Sequence, residues 1–196
     1  MPEQKESIFM RVITGTARGR RLKDLPGMET RPTADRVKEG LFSALQFDIE
    51  GQRVLDLFAG TGQLGIEALS RGAGSAVFVD HSQVAVNIVR ENLKIAGLAD
   101  RARVVSGDSM EFLHSVREKY DIIFLDPPYA AGLLEPALEY ISKFDILAPH
   151  GIIVAESPAE RKLPALGEPY RIYRAYRYGK IGVTIYRRAG EGDARA

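Results

Sequence analysis

The sequence predicts an α/β protein built on a doubly wound, parallel sheet. Three observations predict it. Short apolar runs rich in Val, Ile and Phe alternate with amphipathic helical patterns from residue 53 to residue 157. A glycine-rich turn, Gly60-x-Gly62-x-x-Gly65, stands between the first run and the first helical pattern. Asp56, Asp80, Asp108 and Asp126 fall at the ends of successive runs, the edge of such a sheet where ligands bind.

The elements follow in order. "FMRVITG" and "GRRLKDL", flanking the turn "GTARG", predict a β-hairpin at the start of the chain. In "RPTADRVKEGLFSALQ", Val37, Leu41, Ala44 and Leu45 make a helical stripe, with Thr33 as N-cap and Asp35 in the first turn. "RVLDLF" is a buried strand and "QLGIEALSRG" a helix closed by Gly72. "SAVFVD" is the second strand, and "SQVAVNIVRENLKIAG" a helix with Val86, Val89, Leu93 and Ala96 on one face. "ARVVSGD" and "SMEFLHSVRE" are the next strand and helix, then "YDIIFLD", the helix "LLEPALEYISKF" and the strand "GIIVAES". "YRIYRAYRY", a Gly-Lys turn and "IGVTIYRR" predict a terminal antiparallel hairpin with Ile181, Val183 and Ile185 on one side. The expected organisation is an N-terminal hairpin unit over 1–30, a main domain over 31–188 and a flexible tail over 189–196.

Composition narrows the classes. No apolar run reaches the 18 residues of a membrane span, and the polar start lacks a signal-peptide pattern. There are no cysteines, which excludes disulfides and thiolate metal sites, and the three histidines have no ligand spacing. A cytoplasmic protein without a metal is expected. The net charge of +1 conceals a segregation: residues 11–23 hold five basic residues and no acid, and residues 170–188 hold six and no acid. The rest carries 16 basic against 26 acidic residues. Arginines interleaved with aromatics suit a polyanion such as nucleic acid, although two solvated strands would show the same charges.

Two motifs carry chemistry. Glycines in "DLFAGTGQLG" let the backbone turn tightly against a ligand, and Asp80 at the next strand end is placed to accept from ribose hydroxyls. Asp56, just before the turn, would repel a pyrophosphate but tolerate a sulfonium, which favours S-adenosylmethionine over a dinucleotide. Asp108 can accept from an adenine amino group. The second motif is Asp126-Pro127-Pro128-Tyr129. It supplies a carboxylate, a carbonyl whose direction the prolines fix, and an aromatic face. Those parts hold a planar group bearing an NH₂, and acceptors aimed at such a nitrogen orient its lone pair toward a methyl donor. The residues alone do not name the base.

These motifs resemble those of the S-adenosylmethionine-dependent amino-methyltransferases. With "RVITGTARGRRLK", "RPTADRVKEGLFSAL" and "EALSRGA", the chain from about 10 to 187 resembles the 16S rRNA (guanine(966)-N2)-methyltransferase family. The resemblance implies a Rossmann-like, seven-stranded methyltransferase sheet, a bacterial origin and a hairpin that grips RNA. It implies that Arg31, Pro32 and Thr33 approach the methionine end of the cofactor. It places Ala59, Gly60, Thr61 and Gly62 behind the cofactor, with His81 beside Asp80 and Ser109 beside Asp108. Arg11, Arg18, Arg20 and Arg21 would hold phosphates, and Tyr129 would stack on a base rotated out of its helix. One departure is Ala17, where family members often carry a bulky aromatic.

The expected partner is 16S ribosomal RNA, within a 30S subunit or an assembly intermediate, met by a monomer. Methylation of an adenine amino group in DNA or RNA is the nearest alternative. A non-catalytic RNA-binding module and an NAD-dependent oxidoreductase are two further ones.

Overall fold

The computed structural model describes residues 10–27 and 32–189. After α1 (Pro32–Ala44), the chain runs β1 (Arg53–Asp56), α2 (Gln63–Ser70), β2 (Ser75–Asp80), α3 (Gln83–Ala96), β3 (Ala102–Ser106), α4 (Ser109–Ser115) and β4 (Tyr120–Leu125). It continues with α5 (Leu134–Lys143), β5 (Leu147–Pro158), β6 (Tyr170–Tyr178) and β7 (Ile181–Arg188). Seven strands form one sheet in the order β3-β2-β1-β4-β5-β7-β6. β1 to β5 pair in parallel, and β7 lies antiparallel between β5 and β6. The doubly wound sheet and its terminal hairpin are therefore as expected.

The chain winds outward from β1 to β3, then returns to lay β4 on the other side of β1. That reversal makes a switch point between β1 and β4, and in open α/β sheets ligands bind there, beyond the carboxyl ends of the strands. The central strands β1, β2 and β4 are buried on both faces, as helices on both sides require, whereas the edge strands β3 and β6 are more open. One face packs Val54, Phe78, Phe124 and Val154 against Phe42, Ile66 and Leu93; the other packs Leu55, Val77, Ile123 and Ile153 against Leu113, Leu138 and Ile141. Successive residues alternate between the two cores, which is the period of a strand.

Three elements differ from expectation. α1 begins at Pro32, so Thr33 lies within the helix rather than at its N-cap. β5 begins at Leu147, four residues early, because the chain takes a bulge with His150 at φ 61° before rejoining the register Ile122↔Ile152. The N-terminal hairpin is a strap rather than two strands. Its ladder consists of the bridge Arg11↔Arg21 with flanking bonds from Val12 N to Arg20 O (3.0 Å), from Gly19 N to Val12 O (2.9 Å) and from Leu22 N to Met10 O (2.8 Å). The backbone between them bonds to α2 instead. The Glu67 carboxylate accepts from Ile13 N (2.8 Å) and Thr14 N (3.0 Å). Ser70 Oγ accepts from Ala17 N (2.9 Å) and donates to Thr14 O (2.6 Å), while the Ser70 carbonyl accepts from Thr16 N (2.8 Å). Gly15 (φ 90°) is required in this contact: a Cβ there would sit 1.8 Å from Ser70 O. Met10, Val12, Ala17 and Leu22 are buried in the same core as the sheet. No helix among the described residues is long and apolar enough to cross a membrane.

Candidate active site

The glycine turn follows β1 and is held from three directions. Ala59 N donates to Val79 O (3.0 Å), Gly60 N to Asp80 Oδ2 (2.8 Å), and Gly62 N to Ala59 O (2.7 Å). Gly62 caps α2 at φ 78°. Gly65 brings the helix onto β2 so closely that a Cβ would lie 2.3 Å from Phe78 Cε1. Above Gly60, by contrast, an added Cβ would find its nearest neighbour, Leu25 Cδ1, at 4.0 Å, so the loop leaves room for a ligand. A buried Asn92 on α3 ties this loop to the strap: its Nδ2 donates to Thr61 O (2.9 Å) and Lys23 O (3.0 Å), and its Oδ1 accepts from Lys23 N (2.7 Å). Thr61 Oγ1 lies 3.4 Å from Met10 Sδ.

Four strand-end acids line the crevice or underlie it. Asp80 accepts from Gly60 through Oδ2 and from Ser82 N (2.9 Å) through Oδ1, which fixes its carboxylate while each oxygen keeps a further acceptor position. His81, largely exposed, has Nδ1 3.7 Å from Asp80. Asp108 is the exposed N-cap of α4; Oδ1 accepts from Met110 N (2.8 Å) and Glu111 N (2.9 Å), and Oδ2 keeps its acceptor positions. Asp56 and Ser109 stand differently from expectation. Asp56 is 2% exposed beneath the turn, where Oδ2 accepts from Gly65 N (3.0 Å), so it anchors the loop to α2 rather than lining the crevice. Burial first, then the charge of Asp80, pushes its carboxyl up to about 7 against the opposing Gly65 bond. Ser109 is buried and donates to Leu57 O (2.8 Å), so its hydroxyl supports the β1 terminus instead of meeting a cofactor.

Asp126 to Tyr129 follow β4. Pro127 is buried, Pro128 exposed, and Tyr129 begins a 3₁₀ turn closed by Ala131 N donating to Pro128 O (2.9 Å). Tyr129 is 43% exposed, which leaves its side chain accessible for stacking. Its hydroxyl donates to Glu156 Oε1 (3.0 Å) at the end of β5. Burial, then Glu156 and then Asp56 hold the Asp126 carboxyl well above the ordinary range. Burial also raises Glu156, opposed by the Tyr129 hydroxyl. Burial leads both shifts, with repulsion from Glu156 and Asp56 adding at Asp126, so a hydrogen-bond donor or a cationic group reaching these carboxyls would favour their ionised forms.

The structure thus brings Ala59, Gly60, Thr61, Gly62, Asp80, His81 and Asp108 together beside the Asp126–Tyr129 turn at the switch point. Arg11, Arg18, Arg20 and Arg21 are exposed on the strap. Arg31 and the Thr33 side chain lie outside the described residues. Glu156 and Asn92 are additions. An acid closing the apolar run "IIVAES" is the same signal that marks Asp56, Asp80 and Asp126, whereas nothing local marks Asn92.

Comparison with known proteins places this geometry. A family model described as conserved hypothetical protein 95 matches residues 10–187. The chain belongs to this family. The Bacillus subtilis protein YlbH is 42% identical over 184 residues, spanning 92% of this chain and all of that one. The Escherichia coli protein named ribosomal RNA small subunit methyltransferase D is 36% identical over 197 residues, spanning all of this chain and 98% of its own. The solved structure of Escherichia coli yhhF superposes with a TM-score of 0.85 at 34% identity, covering 94% of this chain and 100% of that one.

Proposed function

We propose that this protein transfers a methyl group from S-adenosylmethionine to the exocyclic N2 of a guanine in 16S ribosomal RNA, at position 966. The observation that carries it is the Asp126-Pro127-Pro128-Tyr129 turn seated beside the glycine loop and Asp80 at the β1/β4 switch point. The Escherichia coli relative's name supports small-subunit RNA as the substrate, and the guanine follows from the family resemblance.

When bound, S-adenosylmethionine supplies an electrophilic methyl group on a sulfonium leaving group. The open face above Gly60 would receive it, Asp80 would accept from its ribose hydroxyls, and Asp108 Oδ2 would accept from its adenine amine. The family resemblance assigns Arg31 and Thr33 to its methionine end. Asp126 and the Pro127 carbonyl accept the two N2 hydrogens of the guanine, and Tyr129 stacks on the ring. This draws the N2 lone pair out of conjugation and aims it. As the carbon–nitrogen bond forms, N2 sheds one proton, and the raised Asp126 carboxyl is suited to take it. Arg11, Arg18, Arg20 and Arg21 hold phosphates, so the strap is the RNA grip. The enzyme works as a monomer in the cytoplasm, on a 30S subunit or an assembly intermediate.

The test is Asp126→Ala. Labelled methyl transfer to small-subunit RNA is lost while calorimetric binding of S-adenosylmethionine persists. Transfer at the wild-type rate would remove Asp126 from the chemistry and the proposal with it.

A further inference from the structure

The Asp-Pro-Pro-Tyr turn presents acceptors to an amine, and adenine, cytosine and guanine all carry one. What separates guanine is the atom beside the amine. Guanine offers N1–H, a second donor adjacent to N2, whereas adenine offers the acceptor N1 beside N6 and cytosine the acceptor N3 beside N4. A site that selects guanine therefore needs a second acceptor next to Asp126.

Glu156 supplies one. In the β4–β5 register Leu125 pairs with Ala155, so the next residues, Asp126 and Glu156, come side by side at the strand spacing of about 4.8 Å. Both follow residues that face the same core, so both carboxylates lie toward the same side of the sheet. Glu156 lines a cleft with Pro127, Pro128 and Tyr129. Its Oε1 accepts the Tyr129 hydroxyl at 3.0 Å, and Oε2 remains for a second donor.

We propose that Glu156 is the specificity-determining residue of this site: its carboxylate accepts the guanine N1–H while Asp126 and the Pro127 carbonyl accept the N2 hydrogens. Adenine or cytosine in the same pose would set a ring-nitrogen lone pair against a carboxylate. Through Oε1 the same group holds the Tyr129 ring at the cleft, so stacking and readout share one side chain. The inference rests on the methyltransferase reading given above. Burial of both carboxyls adds weight, because N–H donors favour their ionised forms and gain most where water does not compete.

The test uses 2-aminopurine, which keeps the N2 amine but has a lone pair in place of N1–H. 16S RNA is assembled by ligation with guanine or 2-aminopurine at the target position and reconstituted into 30S particles. The ratio of kcat/KM for the two RNAs is then measured for wild type, Glu156→Gln and Tyr129→Phe. A single bond to a charged group predicts that wild type prefers guanine by about tenfold to a hundredfold. Glu156→Gln has the same shape and an NH₂ that can donate to the 2-aminopurine N1, so the preference collapses toward unity. Tyr129→Phe breaks the bond to Glu156 but not the readout; both RNAs are methylated more slowly and the ratio holds.

An unchanged ratio in Glu156→Gln overturns the inference and leaves the enzyme's activity standing. Equal collapse in Tyr129→Phe overturns it in favour of Glu156 acting solely through the tyrosine. If wild type methylates neither RNA, the functional proposal itself falls.

Discussion

Glu67→Gln tests whether the strap is an RNA grip held by one buried carboxylate. Glu67 is fully buried on α2, and its two oxygens accept from Ile13 N, Thr14 N and Arg71 Nε at 2.8, 3.0 and 2.8 Å. Glutamine keeps the shape but offers one acceptor atom and one NH₂, so whichever way it turns a donor meets a donor. It also removes the charge that offsets Arg71 and the buried Lys38, whose amine burial lowers while Glu67 and Asp35 raise it. Losing one charge-assisted bond and leaving a buried N–H unpaired costs about 2–4 kcal/mol. For a chain of this size that lowers Tm by roughly 4–16 °C. Two assays read the result. Calorimetry gives the Tm, and hydrogen exchange at the Ile13 and Thr14 amides shows whether the loss is local to the strap. RNA binding should weaken while affinity for S-adenosylmethionine holds, because the strap carries Arg11, Arg18, Arg20 and Arg21. Unchanged Tm with unchanged protection at both amides would refute the anchoring role.

Further outcomes follow from the same geometry. Asn92→Ala removes three bonds that join the strap to the glycine turn; stability falls by about 2–4 kcal/mol and S-adenosylmethionine binds more weakly, read by calorimetry. Asp56 is raised from 3.8 to about 7, so its proton stabilises the fold below pH 3.8 and that contribution fades as pH rises toward about 7. Asp56→Asn keeps the Gly65 bond without the charge, and denaturant melts should show it gaining on wild type across that window, by roughly 4 kcal/mol at most. Arg18→Ala should reduce the slope of log K for RNA against log salt by about 0.7–0.9 if Arg18 holds one phosphate; an unchanged slope removes it from the interface.

The parallel sheet was legible because its strands are apolar runs bounded by glycines and acids, and its helices carry stripes at the right period. The site was legible for a related reason. An acid at the end of a buried strand stands out against Val, Ile and Phe, and the topology gathers such ends into one crevice. The strap has the alternation of a strand, yet the amides of Ile13, Thr14, Thr16 and Ala17 take their partners from Glu67 and Ser70, more than 50 residues away. Long-range side-chain-to-backbone bonds leave no local trace. The role of Ser109 is hidden for the same reason, since its acceptor is the carbonyl of Leu57, 52 residues away. Asp56 sits at a strand end like Asp80, but the residue that decides its role is Gly65, which turns a crevice acid into a loop anchor.

The central claim is that a planar amine of a small-subunit RNA guanine is methylated at the Asp126–Tyr129 turn. Its most direct test takes 16S RNA, in 30S particles from cells lacking this enzyme, and incubates it with the purified protein and labelled S-adenosylmethionine. The nucleosides are then resolved by mass and the label mapped. The account predicts N2-methylguanosine at one position, and N6-methyladenosine as the sole product would contradict it.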